Sequence, residues 1–224
     1  MDFSLIFDNW ELFLTGLGNT VWLVSLALII GGILAVPLAL SQAYNVPYFG
    51  KLSLWYSYAL RGTPLLVQVY IIYYGLGQFE SVRNSVFWVL LKDPYFCALL
   101  GFSLNSAAYA SEILRGAIVN LPKGLIETAY ACGMTRWKVI RRIALPIACR
   151  RSIFAYSNEV IFMLHGSVIA STITIVDLLG AGRRLNSQYY VTFEGFITVA
   201  FLYMAIVAVI SLAFRQIEKR YALT

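Results

Sequence analysis

The sequence predicts an all-α integral membrane protein. It has five transmembrane helices, with the amino end outside and the carboxyl end inside. Three observations predict it. Of 224 residues, 60% are hydrophobic and 12% are charged, about half the charge of a soluble domain. The apolar residues fall into runs long enough to cross a bilayer, separated by polar connectors. With the amino end outside, the inner segments hold Lys51, the eight basic residues from Arg115 to Arg151, and Arg215, Lys219 and Arg220, against Arg83, Lys92, Arg183 and Arg184 outside. That bias sets the orientation. The net charge of +6 is therefore a topology signal, and nucleic acid is not an expected partner.

In order along the chain, residues 1–17 form a short amphipathic lead with Trp10 and Phe13, expected at the interface. They carry Asp2, Asp8 and Glu11 and lack the positive start of a cleaved leader. The first span runs from Asn19 to Ala43; its Gly31, Gly32 and Pro37 are tolerable in a helix packed on neighbours. Residues 44–51 connect it to a second span, Lys51 to Gly77. That span is broken at Arg61-Gly62-Thr63-Pro64, where proline removes a backbone donor. Gln78 to Pro94 reads as a loop with Trp88 as an interface anchor. Tyr95 to about Ile118 is the third span and Pro146 to about Ile175 the fourth. Val176 to Tyr190 reads as a polar loop, Val191 to Phe214 as the fifth span, and Arg215 to Thr224 as a basic tail. Residues 1–224 form a single domain.

Between the third and fourth spans lies the longest polar interruption, at about residues 119–146. Pro122 can open a short helix. Glu127 is expected in an early turn, where the helix dipole favours a carboxylate. Gly133 permits the positive φ that ends a helix. A second short helix is expected from about Met134 to Leu145, with Pro146 opening the fourth span. Such a loop can be a plain connector or a dock for a soluble partner.

Ionisable and amide groups inside the spans mark candidate sites. Asn105, Tyr109 and Glu112 share one face of the third span. Glu159, Met163, Gly166 and Ala170 share a face of the fourth, with Asn158 beside Glu159 and Ser167 after Gly166. Thr63 and Gln68 flank the broken second span. Two readings stay open for these groups. They line a water-filled path whose carboxylates favour a cation, or they hold helices together and pair with Arg61 or Arg115. His165, the only histidine, fits a packed or interfacial place better than a proton relay. Cys97, Cys132 and Cys149 are unclustered and read as small buried residues, so neither a metal site nor a disulfide framework is expected. No residue is expected to be catalytic. The chain has no Gly-x4-Gly-Lys-Ser/Thr loop for nucleotide phosphates.

The central stretch, Glu127-Thr128-Ala129, then Gly133, then Ile143-Ala144-Leu145-Pro146, resembles the EAA loop of membrane subunits of bacterial ABC importers. Thr128 stands where that family has alanine. Arg61-Gly62-Thr63-Pro64-Leu65-Leu66-Val67-Gln68, Ser106-Ala107-Ala108-Tyr109 and Tyr156-Ser157-Asn158-Glu159-Val160-Ile161 resemble its polar amino-acid branch. The likeness is closest to the histidine, arginine and octopine permeases of the M-subunit kind. It implies a type I ABC importer fold, with the amino end periplasmic and the carboxyl end cytoplasmic, in a bacterial inner membrane. It implies that Glu127, Ala129, Gly133, Ile143, Leu145 and Pro146 couple the spans to an ATPase. Two ATP-binding subunits, a second permease that is a paralogue, and a periplasmic binding protein are the implied partners. ATP and magnesium would sit on the ATPase, and this chain would carry no cofactor. The cargo implied is a polar, basic amino acid. Where arginine-type relatives carry a carboxylate this chain has Gly166, which leaves Glu159 to select a cation. The rival from another class is an ion-coupled amino-acid carrier, which would need inverted repeats; no such repeat is evident. A non-transporting scaffold is a third reading.

Overall fold

The computed structural model describes residues 4–221. The first three residues of the interfacial lead and the last three of the basic tail lie outside the described residues. Within them the chain is helix and turn, with no strand. A short helix α1 (Ser4–Asp8) precedes α2 (Trp10–Ala43). At 1.5 Å per residue, the 34 residues of α2 span about 51 Å, well beyond the ~30 Å hydrocarbon layer. The helix itself starts nine residues before Asn19, the expected first residue of the span. Trp10 to Gly18 continue the same helix because Phe13 and Gly16 pack against the bundle.

The second span is broken as predicted: α3 (Phe49–Gly62) ends at the proline, and α4 (Leu65–Tyr70) restarts and passes into a π turn (Ile71–Gly75) and a 3-10 turn (Leu76–Gln78). Two short helices, α5 (Glu80–Arg83) and α6 (Trp88–Leu91), occupy the next connector. Helix α7 (Pro94–Val119) is capped by Asp93, whose side chain accepts from the Tyr95 N–H at 3.0 Å. After the central loop come α10 (Leu145–Gly166) with a 3-10 extension (Ser167–Ile173), then α11 (Leu178–Tyr189) and α12 (Thr192–Tyr221).

Helix α7 is the hub, packing along α2 and against α3, α4 and α10. Its buried face is rich in small residues, among them Gly101, Ser103, Ser106, Ala107, Ala108, Ala110 and Ser111. Small side chains let backbones approach. At the α2 crossing a Cβ on Gly31 would lie 2.8 Å from the Ser106 side chain. Being central, α7 meets little lipid and need not be strongly apolar. Three helical stretches are long and apolar enough to cross a membrane: Trp10–Ala43, Arg136–Ile173 and Thr192–Arg220. The main core joins Leu23, Val24, Ala27, Val69, Phe102, Leu164 and Ile173. A hydrogen-bonded seam runs beside it. Gln42 Nε2 donates to Ser57 Oγ at 3.0 Å, and Ser57 and Ser111 meet at 3.1 Å, tying α2, α3 and α7.

The segment read as a polar loop at 176–190 is in fact α11. Leu178, Ala181, Gly182 and Leu185 form its buried face. Gly182 serves packing, since a Cβ there would lie 2.8 Å from Val199 Cγ2. Asp177 caps the helix by accepting from the Gly180 N–H at 2.7 Å. The cysteine expectation holds for Cys97 alone. Cys132 and Cys149 are exposed, the first at the end of a surface helix and the second in a surface groove with Gly32, Tyr156 and Phe214.

Candidate functional site

The break in the second span opens a cavity of about 500 Å³. Thr63 and Pro64 are extended, at φ/ψ −115/143 and −62/135. That turns the chain aside between α3 and α4 and exposes the broken end to α7 and α10. Arg61 to Leu65 form one wall; Asn105 and Tyr109 of α7 form the second; Glu159, Phe162, Met163 and Gly166 of α10 form the third.

The helical faces read from the sequence thus converge. Thr63, Asn105, Tyr109, Glu159 and Met163 line the cavity. Glu159 is 5% exposed, and what remains open of it faces this space. Gln68 is buried behind the wall, with its amide turned onto backbone oxygens. Glu112 lies a turn beyond Tyr109, in a bidentate contact with Arg115 and 3.7 Å from Arg61. Asn158 is exposed and off the lining, because neighbours on a helix point about 100° apart. Ser167 is fully buried and donates to the Leu164 carbonyl at 2.7 Å. Arg61 and Phe162 are lining residues that the sequence reading did not place there. The guanidinium of Arg61 sits 5.5 Å from the Tyr109 ring centre, a cation–π distance. Its place three residues before a helix-breaking proline was the available signal for Arg61.

A carboxylate, a tyrosine ring and a thioether around one open volume suit an organic cation. A guanidinium already stands at the rim.

The central loop forms a second feature. Helix α8 (Lys123–Ala131) starts after Pro122, so Glu127 lies in its second turn, early in the helix as expected. It is exposed, and Ala129 is buried beneath it. The helix ends in a Schellman closure: Gly133 N–H donates to Tyr130 O at 2.9 Å and Met134 N–H to Ala129 O at 3.1 Å. Gly133 has φ +77°, as predicted. The expected second short helix is instead the start of a continuous one. Helix α9 (Arg136–Val139) runs through a π turn (Ile140–Ala144) into α10. Pro146 does not stop it. The π turn shifts the hydrogen-bond ladder there, and a proline without N–H fits the first turn after the shift. Ile143 and Leu145 are half-buried and Pro146 is exposed. Arg136 stacks 5.2 Å over Tyr44 and donates to its carbonyl at 3.4 Å, fixing the loop to the α2–α3 connector. Burial, and then the neighbouring Tyr130, push the Tyr44 hydroxyl above its ordinary pKa.

Known proteins resemble the chain over nearly its whole length. A family described as "Binding-protein-dependent transport system inner membrane component" matches residues 27–223. An octopine transport system permease protein from Rhizobium radiobacter is 42% identical, over 97% of this chain and 89% of its own length. A histidine/lysine/arginine/ornithine transport system permease protein from Escherichia coli is 40% identical, over 92% of this chain and 87% of its own. Among solved structures, an amino acid ABC transporter crystallised with histidines superposes with a TM-score of 0.87 at 30% identity, covering 98% of this chain and 99% of that one.

Proposed function

Because this chain belongs to the binding-protein-dependent transport system inner membrane components, as a permease subunit of the polar amino-acid ABC kind, we propose that its cargo is a cationic amino acid or amino-acid derivative. Family membership disfavours an ion-coupled carrier. The observation that carries the cargo reading is Glu159, a buried carboxylate facing a cavity at a broken membrane helix. An ionisable group kept there at the cost of burial is best explained by a mobile cation that visits it.

In this reading the five spans are α2, the broken α3–α4 pair, α7, the α9–α10 rod and α12. The amino end is periplasmic and the central loop cytoplasmic. The exposed side of α8, with Glu127, meets an ATPase. Two such ATP-binding subunits hydrolyse ATP, and this chain bears neither nucleotide nor metal. A paralogous permease covers part of the exposed apolar surface, because one chain of this size encloses no complete path. A periplasmic binding protein delivers cargo in the inner membrane of a bacterium. Coupling residues Ala129, Gly133, Ile143, Leu145 and Pro146 carry ATPase closure into α10, which bears Glu159. No covalent chemistry is needed for this alternating access.

The test is reconstitution with candidate partners in liposomes, followed by uptake of labelled arginine, lysine, histidine and glutamine. ATP-dependent uptake favouring arginine and lysine is expected. Glu159→Gln should lower arginine uptake by about tenfold or more, the scale of a lost charge-assisted contact, and change glutamine uptake less. Uptake driven by an ion gradient without the ATPase would overturn the reading.

A further inference from the structure

A helix that stops inside a membrane leaves its last carbonyls without partners, and lipid supplies none. Helix α3 stops at Gly62, and Pro64 cannot donate to Leu60 O. Side chains take over. Thr63 Oγ1 donates to Ala59 O at 2.9 Å. Gln68 Nε2 lies 2.7 Å from Leu60 O, 3.0 Å from Thr63 O and 2.9 Å from Thr63 Oγ1. Asn105 Nδ2 of α7 lies 3.1 Å from Gln68 Oε1 and 3.4 Å from Leu60 O.

The direction of this network is forced. Carbonyl oxygens accept only, so the nitrogen of Gln68 must face the break. Its oxygen then faces α7 and calls for a donor, which fixes the amide of Asn105. Two amide hydrogens on Gln68 serve three acceptors, so none is left for a transported molecule. Gln68 is 9% exposed and does not line the cavity.

We propose that Gln68 is a positioning residue that replaces the backbone hydrogen bonds lost at Pro64 and, steadied by Asn105, holds the wall from Arg61 to Leu65 in the shape that admits cargo. It acts through the backbone and touches no cargo. The proposal rests on the cavity being the transport path.

Two substitutions separate this role from direct contact. Gln68→Met keeps the bulk and removes the donors. Gln68→Glu keeps the shape and turns the donating nitrogen into an accepting oxygen. The complete importer is reconstituted with saturating binding protein, and uptake of arginine and of histidine is measured at about pH 8, where free histidine is mostly neutral at its side chain. Both variants should lower the maximal uptake rate by about tenfold or more. The KM for loaded binding protein should move less than about threefold, and the arginine-to-histidine ratio less than about threefold. A Gln68→Glu importer that shifts the ratio toward arginine by about tenfold would show direct contact with the cation and overturn the proposal.

Hydrogen exchange on the same complexes reads the clamp without transport. Amides of residues 60–68 should exchange at least about tenfold faster in Gln68→Met, and unchanged exchange overturns the proposal. If wild type imports neither amino acid, the cargo reading fails while this measurement still decides the clamp. If the Gln68 variants do not assemble, Asn105→Ala takes their place. It should give a smaller loss of rate with faster exchange at residues 60–68, and wild-type behaviour in both overturns the proposal.

Discussion

Gly133 is where the coupling account is most exposed to a quantitative test. It holds φ +77°, and a Cβ built on it would meet nothing within 4 Å. The cost of any side chain there is thus the cost of the backbone conformation alone. For an ordinary L residue in the left-handed region that cost is about 1–2 kcal/mol, which shifts a conformational equilibrium about five- to thirtyfold. Asparagine tolerates this region and pays less; valine, branched at Cβ, pays more. Since the Schellman bonds at Gly133 and Met134 set the angle between α8 and α9, the loss falls on loop shape while the spans stay packed. In the reconstituted importer, ATP-dependent uptake should rank wild type, Gly133→Asn, Gly133→Ala and Gly133→Val in falling order. Gly133→Ala should fall within the about five- to thirtyfold window, with insertion and complex assembly retained. Wild-type uptake by Gly133→Val would refute the claim that this turn transmits force.

Two further outcomes follow from packing and capping. Gly31→Ala brings a methyl to 2.8 Å from the Ser106 side chain, and thermal unfolding of the purified chain should show a loss of about 1–3 kcal/mol, partly recovered by Ser106→Gly. Burial pushes the Asp177 carboxyl up to about 6. The folded chain therefore holds that proton more tightly than the unfolded chain, and the stability this confers is lost as pH rises from about 4 through about 6. Asp177→Asn keeps an acceptor for Gly180 without titrating. Its melting temperature should gain on wild type across that window and run parallel above it, while Asp177→Ala, which loses the cap, should cost about 1 kcal/mol throughout.

Much of the architecture is legible in the sequence because its signals are local. Pro64 removes the backbone donor that would continue α3, and Gly133 takes the positive φ that its place after a short helix requires. The convergence of Asn105, Tyr109, Glu159 and Met163 follows from helical spacing on two apolar runs. Helix α11 is hidden because Gly180 and Gly182 look like loop residues until Val199 is seen against Gly182. Asp177 was its readable cap. The rod through Pro146 escapes a local reading because a π turn absorbs the missing donor. Asn158 misleads by adjacency, since standing next to Glu159 in sequence turns it away in space. Gln68 has the composition of a lining residue; only the carbonyl geometry at the break reveals which way its amide faces.

Coupling requires the central loop to lie on the cytoplasmic side under an ATPase, and exposed Cys132 is a built-in probe of that placement. This thiol is exposed at the end of α8, Cys97 is buried, and Cys149 can be removed as Cys149→Ser. A membrane-impermeant maleimide should label Cys132 in inverted vesicles but not in intact spheroplasts, and bound ATPase should protect it. Labelling from the periplasmic side, or labelling indifferent to the ATPase, would contradict the account.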